Sequence, residues 1–144
     1  MEAHIPRPYY QTEDDLRRER EVAAAIEQAY GLTAIKLPDN ARADFLLHRD
    51  GTAKSVIEIK CRNVSSAKYD TYMISKSKYD AMLGWAGMGL KAAIVVRWTD
   101  TIGIVRVPVE HAEDTGGRTD RGDARDIEAV VHIPIDCFKM IGHR

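Results

Sequence analysis

The sequence predicts an α/β domain in which a mixed central sheet is flanked by helices. Three features support this fold class: an amphipathic segment comes first, three β-type segments follow, and a second helical segment precedes further apolar strands. Elements in this order pack as helix and sheet layers around a common core. With 144 residues and 44% hydrophobic content, the chain suits one compact core. We therefore expect a single domain over residues 1–144.

The first helix is predicted over Glu13–Tyr30, after an N-terminal arm at residues 1–12. Thr12 can cap it, acidic residues fill its first turn, and Gly31 ends it. Apolar residues recur at helical spacing, at Leu16, Ala23, Ile26 and Tyr30. Glu19 occupies the remaining position on this stripe, so a carboxylate is expected on the buried face.

Three β-type segments follow this helix, over residues 32–37, 43–49 and 54–61. The second and third are separated by Asp50-Gly51, a pair that is typical of a β-turn. We therefore expect these two segments to form a hairpin.

A second helix is predicted from a cap at Ser75 to about residue 88, where Gly87 and Gly89 end it. Its apolar stripe consists of Tyr79, Met82, Leu83 and Ala86. Two apolar segments come next, over 92–98 and 102–107, and the short connection between them indicates a second hairpin.

The end of the chain is predicted to hold a flexible loop and a last strand. Residues 113–126 are mostly Gly, Asp, Arg and Thr, with no aliphatic residue larger than Ala. Such a composition cannot contribute much to a packed core, so it indicates a loop. The last strand is expected over 127–133, directly before Pro134.

The overall charge does not identify a nucleic-acid-binding protein, because 21 Lys+Arg and 22 Asp+Glu give a formal net charge of −1. A nucleic-acid-binding protein of this composition would have to concentrate positive charge locally. Cys61 and Cys137 form no CxxC pair, so no zinc site or disulfide is indicated, and Cys61 is expected to be a small buried residue. With no apolar leader or membrane-length segment, a soluble cytoplasmic protein is expected.

The charged residues of the hairpin indicate chemistry. Glu58 and Lys60 are two positions apart on a strand, so both point to one face while Ile57 and Ile59 point to the other. If Asp44 lies opposite Glu58, it joins the same face as the charged pair. The sequence therefore predicts two carboxylates and a lysine side by side.

This pairing also sets the geometry of the turn. A regular two-residue turn at Asp50-Gly51 would not bring Asp44 opposite Glu58. We therefore predict either a three-residue loop, Asp50-Gly51-Thr52, or one β-bulge, with Gly51 at a positive φ.

Two carboxylates about 5 Å apart repel by roughly 3 kcal/mol at an effective dielectric near 20, unless a cation lies between them. Mg²⁺ suits this position because it prefers oxygen ligands and keeps several waters, and Mn²⁺ is expected to substitute. Lys60 beside the ion could orient or deprotonate an attacking water, or neutralise charge that develops on a phosphate.

The order Asp44, then Glu58-Ile59-Lys60, resembles the PD-(D/E)xK nuclease signature, and the wider pattern is similar to that of archaeal-type Holliday-junction resolvases. That family has an acidic Glu-Arg-Glu-aliphatic run in its first helix, and the matching run here is Glu19-Arg20-Glu21-Val22. The resemblance covers roughly residues 13–107 and implies a restriction-endonuclease-like αβββαβ core. It departs from the signature at Ala43, where the signature has proline.

The resemblance also implies a set of catalytic residues: Glu19, Asp44, Glu58 and Lys60. It implies metal ligation by Asp44, Glu58 and the Ile59 carbonyl. Glu21 is an alternative to Glu19, but it lies across the helix from the apolar stripe, so Glu19 is preferred. The simpler alternative for the motif is a solvated strand face.

Basic residues after the motif are the predicted DNA contacts: Arg62, Lys68, Lys76 and Lys78. Lys76 and Lys78 begin the second helix, whose N-terminus adds amide donors for a phosphate. Tyr69 and Tyr72 lie among the basic residues and can serve either DNA or the core. Ordinary solvated lysines are the alternative at each position.

These features together predict a Mg²⁺-dependent endonuclease that hydrolyses DNA, with a four-way junction or another structured DNA as the substrate. The alternatives are an exonuclease, a restriction-type or repair nicking enzyme, and a non-catalytic nucleic-acid-binding or assembly module on the same fold. Two symmetric cuts at a junction would favour a homodimer, although no sequence feature identifies an interface.

Overall fold

The computed structural model describes residues 12–117 and 127–142, so the predicted arm over 1–12 lies outside the described residues except for Thr12. The described part has two α-helices, α1 Glu13–Tyr30 and α2 Lys76–Gly87, and two short 3₁₀ helices, Asp39–Ala41 and Ile135–Cys137. Its strands, in chain order, are β1 Thr33–Lys36, β2 Phe45–Arg49, β3 Thr52–Cys61, β4 Thr71–Ser75, β5 Lys91–Arg97, β6 Ile102–Val107, β7 Ala112–Gly117, β8 Ile127–Pro134 and β9 Lys139–Gly142. None of the described helices is both long and apolar enough to cross a membrane.

Helix α1 begins and ends where the sequence predicts. Thr12 and Asp15 form a capping box, in which each side chain accepts a hydrogen bond from the other residue's backbone N–H. Gly31 follows the helix at φ 64°, in the left-handed region that favours glycine. Leu16, however, is 38% exposed, because the buried face of the helix begins one turn later at Glu19.

A six-stranded mixed sheet in the order β1-β2-β3-β5-β6-β9 forms the centre of the molecule. β3 and β5 pair in parallel, and their neighbours pair antiparallel. The core beneath α1 lies on one face and includes Val22, Ile26, Phe45, Ile57 and Val95. The core beneath α2 lies on the other face and includes Val56, Tyr79, Met82 and Ile94. The predicted fold class is confirmed.

The hairpin of β2 and β3 has the register that the sequence analysis requires. Phe45 pairs with Ile57 near its base, and a β-bulge directly after Leu47 shifts the pairing before the strands close. Asp50 and Gly51 have φ values of 51° and 82°, as in the two-residue turns that match strand twist. The predicted bulge and the positive φ of Gly51 are both confirmed.

A second sheet, in the order β4-β8-β7, was not predicted. The flexible loop predicted over 113–126 is wrong for residues 113–117, which belong to β7 and pair with β8. Pairing of the backbone makes this polar segment a strand, since its side chains supply almost no apolar surface. Residues 118–126 lie outside the described residues. β8 is also not the last strand, because β9 follows it and pairs with β6.

Candidate active site

Asp44 is fixed by backbone bonds just before β2 begins. Its N–H donates to the Ile57 carbonyl at 2.9 Å, and its carbonyl accepts from the Leu37 N–H at 2.9 Å. The Ile59 N–H donates to its carboxylate Oδ2 at 2.6 Å. These bonds fix Asp44 beside the second half of β3, and Asp44 and Glu58 both line one cleft.

Glu58 is a nearly buried carboxylate between two lysines. Only 5% of the residue is exposed. Its Oε2 lies 3.1 Å from Lys78 Nζ and 3.4 Å from Lys60 Nζ. Lys60 therefore shares the cleft with Asp44 and Glu58, and α2 adds a second ammonium group.

The electrostatics of Asp44 suit a bound cation. Burial raises the pKa of Asp44, and the neighbouring Glu58 carboxylate raises it further, against the opposing hydrogen bond from Ile59 N–H. The Glu58 carboxylate thus disfavours the charge of Asp44, a conflict that a hard divalent ion with oxygen ligands relieves. Over 12–117 and 127–142, no three or more His, Cys, Asp or Glu side chains are arranged to hold a metal. The candidate donors are therefore these two carboxylates, a main-chain carbonyl and water.

The two lysines at Glu58 differ in how firmly they hold their protons. Burial lowers the pKa of Lys60, with Lys78 adding to the effect and Glu58 opposing it. Burial also disfavours the charge of Lys78, but attraction to Glu58 and its hydrogen bonds outweigh this and raise its pKa. Lys60 is therefore the lysine that more readily becomes neutral.

Glu19 is linked to Asp44 through the Lys36 ammonium group, which lies between the two carboxylates. Its Oε1 lies 2.6 Å from Lys36 Nζ, and the same ammonium lies 3.7 Å from Asp44 Oδ1. Glu21 does not line the cleft, and its Oε1 accepts from Arg97 at 3.0 Å. Of the two helix carboxylates, the structure places Glu19 at the cleft.

The cleft has a volume of about 730 Å³. Five basic and five acidic side chains line it: Arg18, Lys36, Arg42, Lys60 and Lys78, with Asp15, Glu19, Asp39, Asp44 and Glu58. The local excess of positive charge expected of a nuclease is therefore not found among its described lining residues.

Sequence reasoning missed Lys36 and Arg42. Lys36 is two positions after Ala34, which packs toward α1, so strand alternation could have placed it on the α1 side. Arg42 adopts φ 62° and donates to the Ser77 carbonyl at 3.3 Å, a contact across 35 residues that no local pattern indicates. Cys61, expected to be buried, is exposed because it ends β3 at the cleft.

Among the four predicted DNA contacts, only Lys78 lines the cleft. Lys76 is half-buried and pairs with a carboxylate one turn later on α2 at 2.9 Å. Arg62 lies over the ring of the buried Tyr72, 4.9 Å from its centroid. Lys68 is exposed in the loop after β3. Neither Arg62 nor Lys68 therefore lines the cleft, although Arg62 lies between the cleft residues Cys61 and Asn63.

The fold is that of a known nuclease. The chain is similar to the 1.6 Å structure of Hjc, a Holliday junction resolvase from the archaeal hyperthermophile Archaeoglobus fulgidus, with a TM-score of 0.59 and 18% identity over 88% of each chain. At this identity the likeness shows a shared fold. Residues 5–141 match the family described as "Phage putative PDDEXK endonuclease". The chain belongs to this family and is a nuclease of the PD-(D/E)xK type, as the sequence predicted. No curated protein sequence matches it.

Proposed function

We propose that this nuclease is a Mg²⁺-dependent endonuclease that hydrolyses DNA phosphodiester bonds. The observation that carries the proposal is the placement of Asp44 and Glu58 in one cleft, with Lys60 Nζ 3.4 Å from Glu58. Membership of the PD-(D/E)xK family supports the proposal, because the Asp, Glu and Lys of that signature lie together in this cleft.

Asp44, Glu58 and the Ile59 carbonyl would hold the ion, and Mn²⁺ would substitute for Mg²⁺. Bound there, the ion would stabilise negative charge on the phosphate and acidify a water. The Ile59 N–H keeps the Asp44 carboxylate in one orientation. Glu19 acts at longer range, because its carboxylate holds the Lys36 ammonium next to Asp44.

Lys60 is the proposed proton acceptor. Burial lowers the pKa of Lys60, and a base is more effective when its pKa lies closer to the working pH. Its Nζ could therefore take a proton from the attacking water. The raised pKa of Lys78 keeps that ammonium charged, which suits stabilisation of charge on the phosphate.

Branched DNA is the proposed substrate class. Hjc, which shares the fold, is a Holliday junction resolvase, and this likeness makes a four-way junction the first substrate to test. Two symmetric cuts would need two active sites, so a homodimer is proposed together with junction cleavage.

The test is cleavage of labelled four-way junction, flap, single-stranded and linear duplex DNA with Mg²⁺, Mn²⁺ or EDTA. We expect internal cuts with either metal, none in EDTA, and faster cutting of branched DNA. Glu58→Gln should abolish cutting. Glu21→Gln is the matched control, because this carboxylate is exposed and does not line the cleft.

Each alternative gives a different result. Equal cleavage in EDTA would exclude a metal nuclease, and degradation only from DNA ends would indicate an exonuclease. DNA binding without cleavage of any substrate would indicate a non-catalytic module. Loss of activity in Glu21→Gln but not in Glu58→Gln would contradict the site.

A further inference from the structure

A second cavity, of about 390 Å³, lies beside the cleft. On the segment around the end of β3, Cys61 and Asn63 line the cleft, whereas Arg62 and Val64 line the second cavity. This single stretch of backbone therefore separates the two spaces. A polymer that crosses this segment would meet both.

The second cavity is a short distance from the proposed catalytic lysine. The Arg62 N–H donates to the Arg97 carbonyl at 2.8 Å, which continues the pairing of β3 with β5. Two residues of extended chain span about 6.6 Å, so Arg62 is about that far from Lys60 along the backbone. Phosphates on one strand of duplex DNA are about 3.4 Å apart along the axis. That distance covers about two nucleotides along a duplex axis and fewer along a more extended unpaired strand, so the cavity lies within about two nucleotides of Lys60.

The cavity wall carries groups on which nucleobases stack. The Arg62 guanidinium is held at the Tyr72 ring, and its Nη2 donates to the Tyr72 hydroxyl at 3.1 Å. Tyr69, also on the wall, is 62% exposed, and the Lys68 ammonium lies 6.0 Å from its ring centroid. Exposed aromatic rings and guanidinium planes stack bases, and a nearby ammonium attracts the phosphate.

Hydrogen bonds fix the shape of this wall. The Ser66 N–H and hydroxyl both donate to the Asp100 carboxylate at 2.8 Å, which ties the loop after β3 to the β5–β6 turn. On the opposite side, Thr71 Oγ1 lies 3.1 Å from His132 Nδ1. A wall fixed in this way needs little ordering when a ligand binds.

We infer that this cavity binds an unpaired nucleobase of the strand being cut, within about two nucleotides of the cut, by stacking with Tyr69 and Arg62. The inference rests on the proposed DNA cleavage and makes it more specific. Bases of a continuous duplex are stacked inside the helix, so only DNA with a single-stranded segment beside the cut can fill the cavity. The cavity would therefore select flaps and open branch points over plain duplex.

The test compares single-turnover cleavage of a flap with that of a matched linear duplex, in Mg²⁺ and with enzyme below saturation. Tyr69→Ala should lower the flap-to-duplex rate ratio on the order of 10-fold, the effect of losing one stacked base. Arg62→Lys keeps the charge but loses the planar group, so it should lower the ratio as well. Met88→Ala is the matched control, because this side chain is 71% exposed and lines neither the cleft nor the second cavity. The flap-to-duplex rate ratio of this variant should stay within about 2-fold of the wild-type ratio.

A second readout reports stacking directly. In the Lys60→Ala background, 2-aminopurine placed about one or two nucleotides from the cut should lose fluorescence on binding, and adding Tyr69→Ala should restore it. Three results would overturn the inference and leave the proposed function standing. They are a wild-type flap-to-duplex rate ratio near one, equal rate losses on flap and duplex in Tyr69→Ala, and fluorescence quenching that persists in Tyr69→Ala. A wild-type protein that cuts none of these DNAs would overturn the proposed function, and the inference with it.

Discussion

Replacing Lys36 by methionine tests whether the cleft depends on a lysine that the motif does not include. Lys36 Nζ lies 2.6 Å from Glu19 Oε1, and the Glu19 side chain is only 11% exposed. At an effective dielectric near 20, the gross attraction over this distance is roughly 6 kcal/mol. Desolvation offsets most of it, and the loss of one partner from a buried pair typically costs about 3–5 kcal/mol. Because the Lys36 side chain is 29% exposed, we expect a loss near 2 kcal/mol.

The assay is urea unfolding at pH 7 in EDTA, read as the change in the free energy of unfolding. Lys76→Met is the matched control, because Lys76 also makes a short ion pair, at 2.9 Å to Asp80, but both side chains are more exposed. Exposed pairs contribute about 0–1 kcal/mol, so the control should lose less than about 1 kcal/mol. The difference between the two variants isolates the effect of the buried carboxylate.

Adding Glu19→Gln to Lys36→Met should recover at least half of the lost stability, since it removes the negative charge that the lysine balanced. The reasoning is refuted if Lys36→Met loses no more stability than Lys76→Met. It is also refuted if the double variant is no more stable than Lys36→Met alone.

Three further predictions concern the site and its support. Lys60→Ala should slow single-turnover cleavage on the order of 10²-fold while calorimetric Mg²⁺ binding persists; wild-type rates would exclude its role in proton transfer. The raised pKa of Asp44 means that its contribution to stability is full below the ordinary value of 3.8 and is lost as the pH rises through the folded-state pKa. Without divalent ions, Asp44→Asn should therefore have a higher melting temperature than the wild-type protein at pH 7, and the difference should shrink toward acid pH. A lower melting temperature of the variant at pH 7 would contradict this. A Cβ on Gly103 would lie 2.8 Å from Trp98 Cζ3, so Gly103→Ala should cost about 1–3 kcal/mol in urea unfolding, and an unchanged midpoint would show that the ring can move.

The sequence predicted the parts of the fold that local rules determine. The capped helix over Glu13–Tyr30 and the strand Ile102–Val107 have the predicted bounds, because caps and alternation act within a few residues. The bulge after Leu47 was predicted from a distant requirement, the pairing of Asp44 with Glu58. The hypothesis about the site thus predicted a β-bulge that composition alone would not have indicated.

The second sheet could not be predicted in the same way. β7 has no aliphatic residue larger than Ala, and it becomes a strand only because its backbone pairs with β8. Strand preference depends strongly on such partners, which a single sequence does not reveal. The contact of Arg42 with Ser77 could not be predicted for the same reason, since it joins residues that only the fold brings together.

The charge balance of the cleft links the metal to the substrate. With five basic and five acidic side chains along its described wall, the cleft on its own attracts a polyanion weakly, in keeping with the net charge of −1. A divalent ion between Asp44 and Glu58 would make the cleft net positive at the point where the phosphate must bind. On the proposed function, Asp44 and Glu58 therefore do two things: they retain the ion, and they keep the cleft from binding DNA strongly before the ion is present. Charge on Arg62 and Lys68 beside the cleft would then orient the strand.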